Sequence, residues 1–223
     1  MSQEHAQFLS HAQARRFYDM LGTKLDTQAF YERAALNQLA EHLRMEACRA
    51  VVEFGCGTGR MALELFESVL PSDAKYLGLD VSGTMVAIAR GRLARWEDRT
   101  VLQQTDGQPR CNAPSGSFDR FLCTYVFDLL AEPEIHTVIA EAHRLLVPGG
   151  LLGVVSLTNG PTPVSRLVST AWRNLHALSP WIVGGCRPIV IQHFLPAADW
   201  NIEYAQVLTR FGIPSDIVVA RRS

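Results

Sequence analysis

The sequence has no CxxC pair among its five cysteines, Cys48, Cys56, Cys111, Cys123 and Cys186. An odd, unpaired set argues against a zinc site and a disulfide framework, so reduced thiols in a cytoplasm are expected. No run of lysine or arginine stands out in the 223 residues, and the formal net charge is −1. A nucleic-acid backbone finds no electrostatic footprint here. The nearest basic cluster, Arg221-Arg222, reads as a solvated tail. No apolar run approaches the length of a membrane-spanning helix. The opening MSQEHAQFLSHAQARRFYDM lacks the basic-then-apolar order of a signal peptide. Internal repeats and low-complexity tracts are missing too.

Hydrophobic residues make up 48% and charged residues 19%, an ordinary globular balance. Short apolar strands alternate with amphipathic helices, which predicts a mostly parallel α/β sheet. A helix is expected from Glu4 to Met20, ended by Gly22, and a second one starting at Asp26-Thr27, either of which can cap it. Strands follow at 49–54, 75–80, 100–104 and 118–124. Ser82 caps a helix running to about Trp96, and Pro133 opens another. Pro148-Gly149-Gly150 turns the chain into a fifth strand, LLGVVSLT. Two closing strand-like runs joined by Gly212-Ile213-Pro214-Ser215 read as a hairpin.

The stretch VVEFGCGTGR, residues 51–60, places a glycine loop behind the first strand. Its spacing is GxGxG. A dinucleotide loop needs its third glycine at position 60, where Arg60 stands. A triphosphate loop needs lysine followed by serine or threonine, and neither follows Gly59.

Glu53-Phe54-Gly55-Cys56-Gly57-Thr58-Gly59 resembles motif I of the class I S-adenosylmethionine-dependent methyltransferases. Asp80 at the second strand end, Asp106 after the third, FDRFLCTYVFDLL and HRLLVPGGLLGVVS are similar to the family's later landmarks in the same order. The resemblance covers about 48–158 and 200–222. It implies a Rossmann-like, seven-stranded, mostly parallel sheet with an antiparallel terminal hairpin and helices on both faces. It implies S-adenosylmethionine as cofactor. Loop amides at Gly55, Cys56, Gly57 and Gly59 would meet the methionine carboxylate, and Glu53 the ammonium. Asp80, followed by Val81 and Met85, would take the ribose. Asp106 and Gly107 would sit at the adenine, with Cys123 nearby and without chemistry of its own. Bland readings stand beside these: Glu53 as a strand-end acid, Asp80 as a helix cap, Asp106 as a turn residue.

Methyl transfer needs alignment of the acceptor, and a base only where the acceptor loses a proton. Asp128, His193 and Tyr18 are the catalytic candidates, with Tyr31 and Tyr125 close behind. Turn capping, a structural histidine and core packing are the plainer roles. His5, His11, His42 and His136 show no partner pattern and read as surface or structural residues. Arg187 reads as an anion binder or a loop anchor.

The chain reads as one domain over 1–223, with a helical cap over 1–45 and an inserted substrate lid over 159–192. In the lid, Val164, Leu167, Val168, Ala171, Trp172, Leu175 and Leu178 keep helical spacing. The simpler expectation is that this stripe packs on the domain; otherwise it lines an apolar pocket or touches a membrane surface. The opening FYDMLG and the lid loosely resemble the quinone- and phospholipid-methylating branch. A small, fairly apolar acceptor, quinone-like or lipid-like, is therefore expected. A natural-product methyltransferase, a nicotinamide-dependent oxidoreductase and a non-catalytic binder of the same cofactor are the competing readings. The oligomeric state is left open.

Overall fold

A computed structural model describes residues 8–223. Helix α1 spans His11–Leu21; the expected start at Glu4, and His5, lie outside the described residues. Ser10 and Gln13 form a reciprocal capping box at its start, and Gly22, at φ +52°, ends it. A tight 3₁₀ turn occupies Gly22–Gln28, and α2 follows at Ala29–His42. Neither Asp26 nor Thr27 caps that helix, contrary to expectation; Asp26 is engaged elsewhere.

Strand β1 (Ala50–Phe54), α3 (Arg60–Ser68), β2 (Lys75–Asp80), α4 (Gly83–Arg92) and β3 (Thr100–Gln104) then alternate. Ser82 caps α4 by accepting from the Met85 amide, as read from the sequence. The helix ends earlier than expected, and Ala94–Arg99 continues as a 3₁₀ turn kinked at Trp96. Strand β4 (Phe118–Thr124), α5 (Glu132–Leu145), β5 (Leu146–Leu157), α6 (Pro163–Leu178), β6 (Trp200–Arg210) and β7 (Ile213–Arg222) complete the chain.

The seven strands lie in the order β3-β2-β1-β4-β5-β7-β6, parallel through β5, with β7 antiparallel to both neighbours. Strand period places alternate residues on opposite faces, so Val51 and Val52 enter different cores. One core holds α2, α3 and α4 through residues such as Leu39, Leu65 and Ala89. The other holds α5 through Ile135, Val138 and Leu145, with Ile189, Ile191 and Trp200. Strand order reverses between β1 and β4, and the crevice outside their carboxyl ends is where such sheets take ligands.

Three details differ from the sequence reading. Pro148-Gly149-Gly150 is a bulge inside β5: pairing jumps from Phe118–Leu146 to Arg120–Leu151. The terminal hairpin turns at Phe211-Gly212, where both residues have positive φ (+51° and +80°), and not at Gly212–Ser215. That pair of dihedrals is the type I′ turn that suits twisted strands. Arg221 and Arg222 are no tail: they sit in β7, where Arg221 bonds Glu203 and the Gly149 carbonyl and Arg222 bonds the Leu146 carbonyl.

Helix α6 reverses the packing expectation. Val164, Leu167 and Leu178 are 67%, 72% and 77% exposed, whereas Ser165, Ser169 and His176 are buried. The inward side is chosen by polar anchors. Ser165 and Thr162 close a capping box, the Gly160 amide donates to Ser169 Oγ, and Trp172 Nε1 donates to the Cys186 carbonyl at 3.0 Å. No helix among the described residues is long and apolar enough to cross a membrane.

Gly212→Val is expected to lower stability by about 1–2 kcal/mol, because an L side chain is strained at positive φ. Urea unfolding followed by circular dichroism reads this directly.

Candidate active site

Three glycines after β1, Gly55, Gly57 and Gly59, all adopt positive φ. Gly55 is tightly constrained: a Cβ there would lie 2.2 Å from Val126 Cγ2. Val126 reaches that place because Tyr125, at φ +55°, turns the chain sharply after β4. That dihedral is costly for a bulky residue. It is held by the Tyr125 amide on the Val155 carbonyl, 2.7 Å, and by the phenol against Ser215 Oγ, 2.9 Å.

Asp80 ends β2 and accepts two amides at 2.8 Å, Gly57 N on Oδ2 and Ser82 N on Oδ1. Burial raises its carboxyl, and those two amides oppose the rise. Glu53 is buried on β1 and accepts a 2.5 Å hydrogen bond from the Tyr76 phenol. Burial pushes its carboxyl up to about 7, against the lowering effect of that phenol.

The N-terminal elements close over this loop through polar contacts. Asp26 accepts from Thr58 Oγ1 and from Arg92 Nη2, both at 2.6 Å. Arg60 pairs with buried Glu32 of α2, which explains a long side chain where a dinucleotide loop needs glycine. Asp19 of α1 accepts from Ser82 Oγ at 2.5 Å. His11 lies against Gly107 and shares a 2.6 Å hydrogen bond with Glu134, so this histidine has a partner after all.

A cavity of about 480 Å³ runs from this loop beneath α1 and α6. Glu53, Gly55, Cys56, Gly57, Asp80, Val81, Met85, Gly107, Tyr18 and Asp128 all line it. Four expected residues do not. Asp106 is exposed and closes its own turn by accepting the Gln108 amide at 2.9 Å; Thr105 and Gly107 face the cavity in its place. Gly59 packs on Ala89, where a Cβ would meet Ala89 Cβ at 3.0 Å. Cys123 is core, fully buried among Phe121, Phe127 and Ile135. His193 is exposed in the Ile191–Phe194 turn, away from the cavity.

Asp128 is fully buried, and its Oδ1 has no hydrogen-bond partner among the described residues. Burial pushes its carboxyl up to about 7. Tyr18 stands between the two ends of the cavity: burial raises its phenol, and Cys186, Asp128, Asp80 and Glu32 raise it further. Tyr31, Tyr125, Trp172, Ile182 and Cys186 complete that end of the wall. Arg187 donates to the Leu130 carbonyl at 2.8 Å and anchors its loop.

Residues 51–150 match the methyltransferase-domain family. This part of the chain is a methyltransferase domain of the class I S-adenosylmethionine-dependent kind. It is 30% identical over 117 residues to the demethylmenaquinone methyltransferase of Lactococcus lactis subsp. lactis (strain IL1403), covering 52% of this chain and 45% of that protein. It is 31% identical over 170 residues to the trans-aconitate 2-methyltransferase of Azoarcus sp. (strain BH72), covering 75% and 59%. The chain thus spans about half the length of the curated relatives it matches. In structure it is similar to the [4+2]-cyclase SpnF, with TM-score 0.72, 19% identity and 96% and 97% of the two chains covered. It is also similar to the geranyl diphosphate C-methyltransferase of Streptomyces coelicolor A3(2), with TM-score 0.65, 12% identity and 86% and 79% covered. These two likenesses show the fold.

S-adenosylmethionine is the methyltransferase cofactor, and the donor set here fits it. The loop amides suit a carboxylate, Glu53 suits an ammonium, and Asp80 keeps lone pairs free for ribose hydroxyls. Val81, Met85, Thr105 and Gly107 line the cavity and could wall an adenine.

An ammonium beside Glu53 favours its ionised form. Affinity for S-adenosylhomocysteine is therefore expected to rise as pH increases toward about 7 and to level off above it. Glu53→Gln is expected to flatten this dependence and weaken binding by about 1–3 kcal/mol. Titration calorimetry between pH 6 and 8 checks both; a pH-independent affinity in the unsubstituted protein would remove Glu53 from the ammonium.

Proposed function

We propose that the protein moves a methyl group from S-adenosylmethionine to a small, fairly apolar acceptor, quinone-like or lipid-like, through a hydroxyl or an enolised carbon. The observation that carries this is the unpartnered Asp128 Oδ1, buried in a cavity wall otherwise built of Tyr18, Tyr31, Tyr125, Trp172 and Ile182. An apolar wall with one convergent polar group selects an apolar ligand with one reacting polar atom.

The charges of the wall favour the same acceptor class. Its cations among the described residues already have carboxylate partners, Arg60 with Glu32 and, when protonated, His11 with Glu134, although Arg60 Nη1 keeps no hydrogen bond. A polycarboxylate such as trans-aconitate would enter beside Asp128 and Glu32 and would compete with Glu32 for Arg60. A natural-product acceptor of similar polarity meets the same wall.

In this reading S-adenosylmethionine supplies an activated methyl group. The chain's own residues bind, orient and deprotonate. Of the cap expected over 1–45, the described residues 8–45 cover the cofactor end, and 159–192 form a lid over the acceptor end. Tyr18 bounds the space between the two ends and stays neutral. Asp128, ionised above about 7, takes the acceptor proton onto Oδ1 as the nucleophile closes on the methyl carbon. Free thiols support a reducing, cytoplasmic setting.

Asp128→Asn is expected to lower kcat by about 10²–10⁴-fold while leaving S-adenosylhomocysteine affinity unchanged. The unsubstituted enzyme is expected to gain rate through about pH 7, because the active form is the carboxylate. Methyl transfer from labelled cofactor to a panel of quinols, phenols and polycarboxylates measures both. Preference for polycarboxylates, or full activity in Asp128→Asn, would sink this reading.

A further inference from the structure

The outward face of α6 is apolar, and it is not isolated. Gly212 lies against Val164 and Val168, which brings the Phe211 turn beside the helix. Phe211 is 76% exposed and packs against Phe30, itself 60% exposed, with the rings tilted and their centroids 5.4 Å apart. The next residue, Tyr31, lines the cavity. At the other end of the helix, Leu175 and Ile182 are exposed and also line the cavity. One apolar surface therefore runs along α6 and reaches the cavity mouth.

Its charge is one-sided. No acidic residue occurs between Glu141 and Asp199, a stretch that carries Arg144, Arg166, Arg173 and Arg187. Arg166 and Arg173 are exposed on the side of α6 away from the apolar stripe, and exposed Arg210 adjoins Phe211. Among the described residues, none of these three forms an ion pair. Exposed leucines on one face and unpaired arginines on the other are the composition of a helix that lies in a lipid interface.

We propose that α6, the Phe211 turn and Phe30 seat this protein on an anionic bilayer surface, with the cavity mouth against the lipid. A second copy suits this face poorly. In a two-fold interface the patch meets itself, which gives its arginines no counter-charge. Anionic headgroups complement those arginines, and the acyl region receives the leucines and phenylalanines. The purpose, passage of a lipid-like acceptor from bilayer to cavity without crossing water, rests on the function proposed above; the seating itself does not.

The test is sedimentation with vesicles of phosphatidylcholine alone and of phosphatidylcholine mixed with phosphatidylglycerol. The protein is expected to sediment with the mixed vesicles, less so in high salt, and far less with phosphatidylcholine alone. Leu167→Glu/Leu178→Glu is expected to abolish the binding, and Arg166→Glu/Arg173→Glu to weaken it by at least about tenfold. Unchanged melting temperature and S-adenosylhomocysteine affinity in both variants exclude misfolding. Leu167 and Leu178 lie outside the cavity wall, so transfer to a short-chain soluble acceptor without vesicles is expected to continue in that variant. Failure of that transfer in the unsubstituted protein speaks against the proposed function, not the seating. The seating is overturned by absent vesicle binding in folded, cofactor-binding protein, by equal binding to both vesicle types, or by a dimer that the leucine variant dissolves.

Discussion

The site depends first on one carboxylate. Asp80 spends one oxygen on the Gly57 amide and the other on the Ser82 amide, each at 2.8 Å. Those amides belong to loops leaving two adjacent parallel strands, β1 and β2, so the bond pair fixes the spacing of the two loops. The effect then spreads. Ser82 caps α4 through the Met85 amide and donates to Asp19 on α1. A ligand hydroxyl reaching Asp80 therefore meets a carboxylate already oriented by backbone, with half of its acceptor capacity still free.

Above that loop, α1 and the Gly22–Gln28 turn are held differently from α2, which is part of the core: they bury no residue of their own. Their polar ties are Asp19–Ser82 and Asp26 with Thr58 and Arg92, and Glu32–Arg60 joins α2 to the same loop. Partly exposed ion pairs contribute little individually to stability. The core thus carries the fold, and α1 with the turn after it can loosen without disturbing it. Glu32 is the costly member, since burial raises its carboxyl and Arg60 is what compensates. Together these features suit a cover that must open for cofactor exchange.

Legibility in the sequence follows the range of the interaction. The strands, the glycine loop, the Ser82 cap and Asp80 were readable because each is defined by neighbours within a few residues. Asp106 was ambiguous for the same reason: Asp-Gly is also a turn, and the Gln108 amide took the carboxylate. Gly107 beside it was read; what packs on that glycine could not be. His11 reaches Gly107 across 96 residues of chain, and the side chains of Asp26 and Arg92 meet across 66. Arg60 showed only that the loop was not dinucleotide-like; its partner, Glu32, lies 28 residues away. In α6 the period announced a helix with an apolar stripe. It did not announce which side faces inward, because that is set by Gly160 and the Cys186 carbonyl, outside the helix.

The acceptor end of the cavity shows why the family and the substrate are separate questions. A sheet with this topology supports chemistry as different as methylation and cyclisation, as its structural neighbours show, so the wall must be argued residue by residue. Here it holds a carboxyl near neutrality, phenols pushed upward by burial, and arginine already bound. An anionic acceptor would need desolvation without a counter-charge, which is costly. A neutral acceptor needs none, and in the proposed reading it would give up its proton only inside the cavity, to the buried, unpartnered oxygen of Asp128. The selectivity argued for this protein thus comes less from any group that binds the acceptor than from the pairing of the wall's arginine, Arg60, with Glu32.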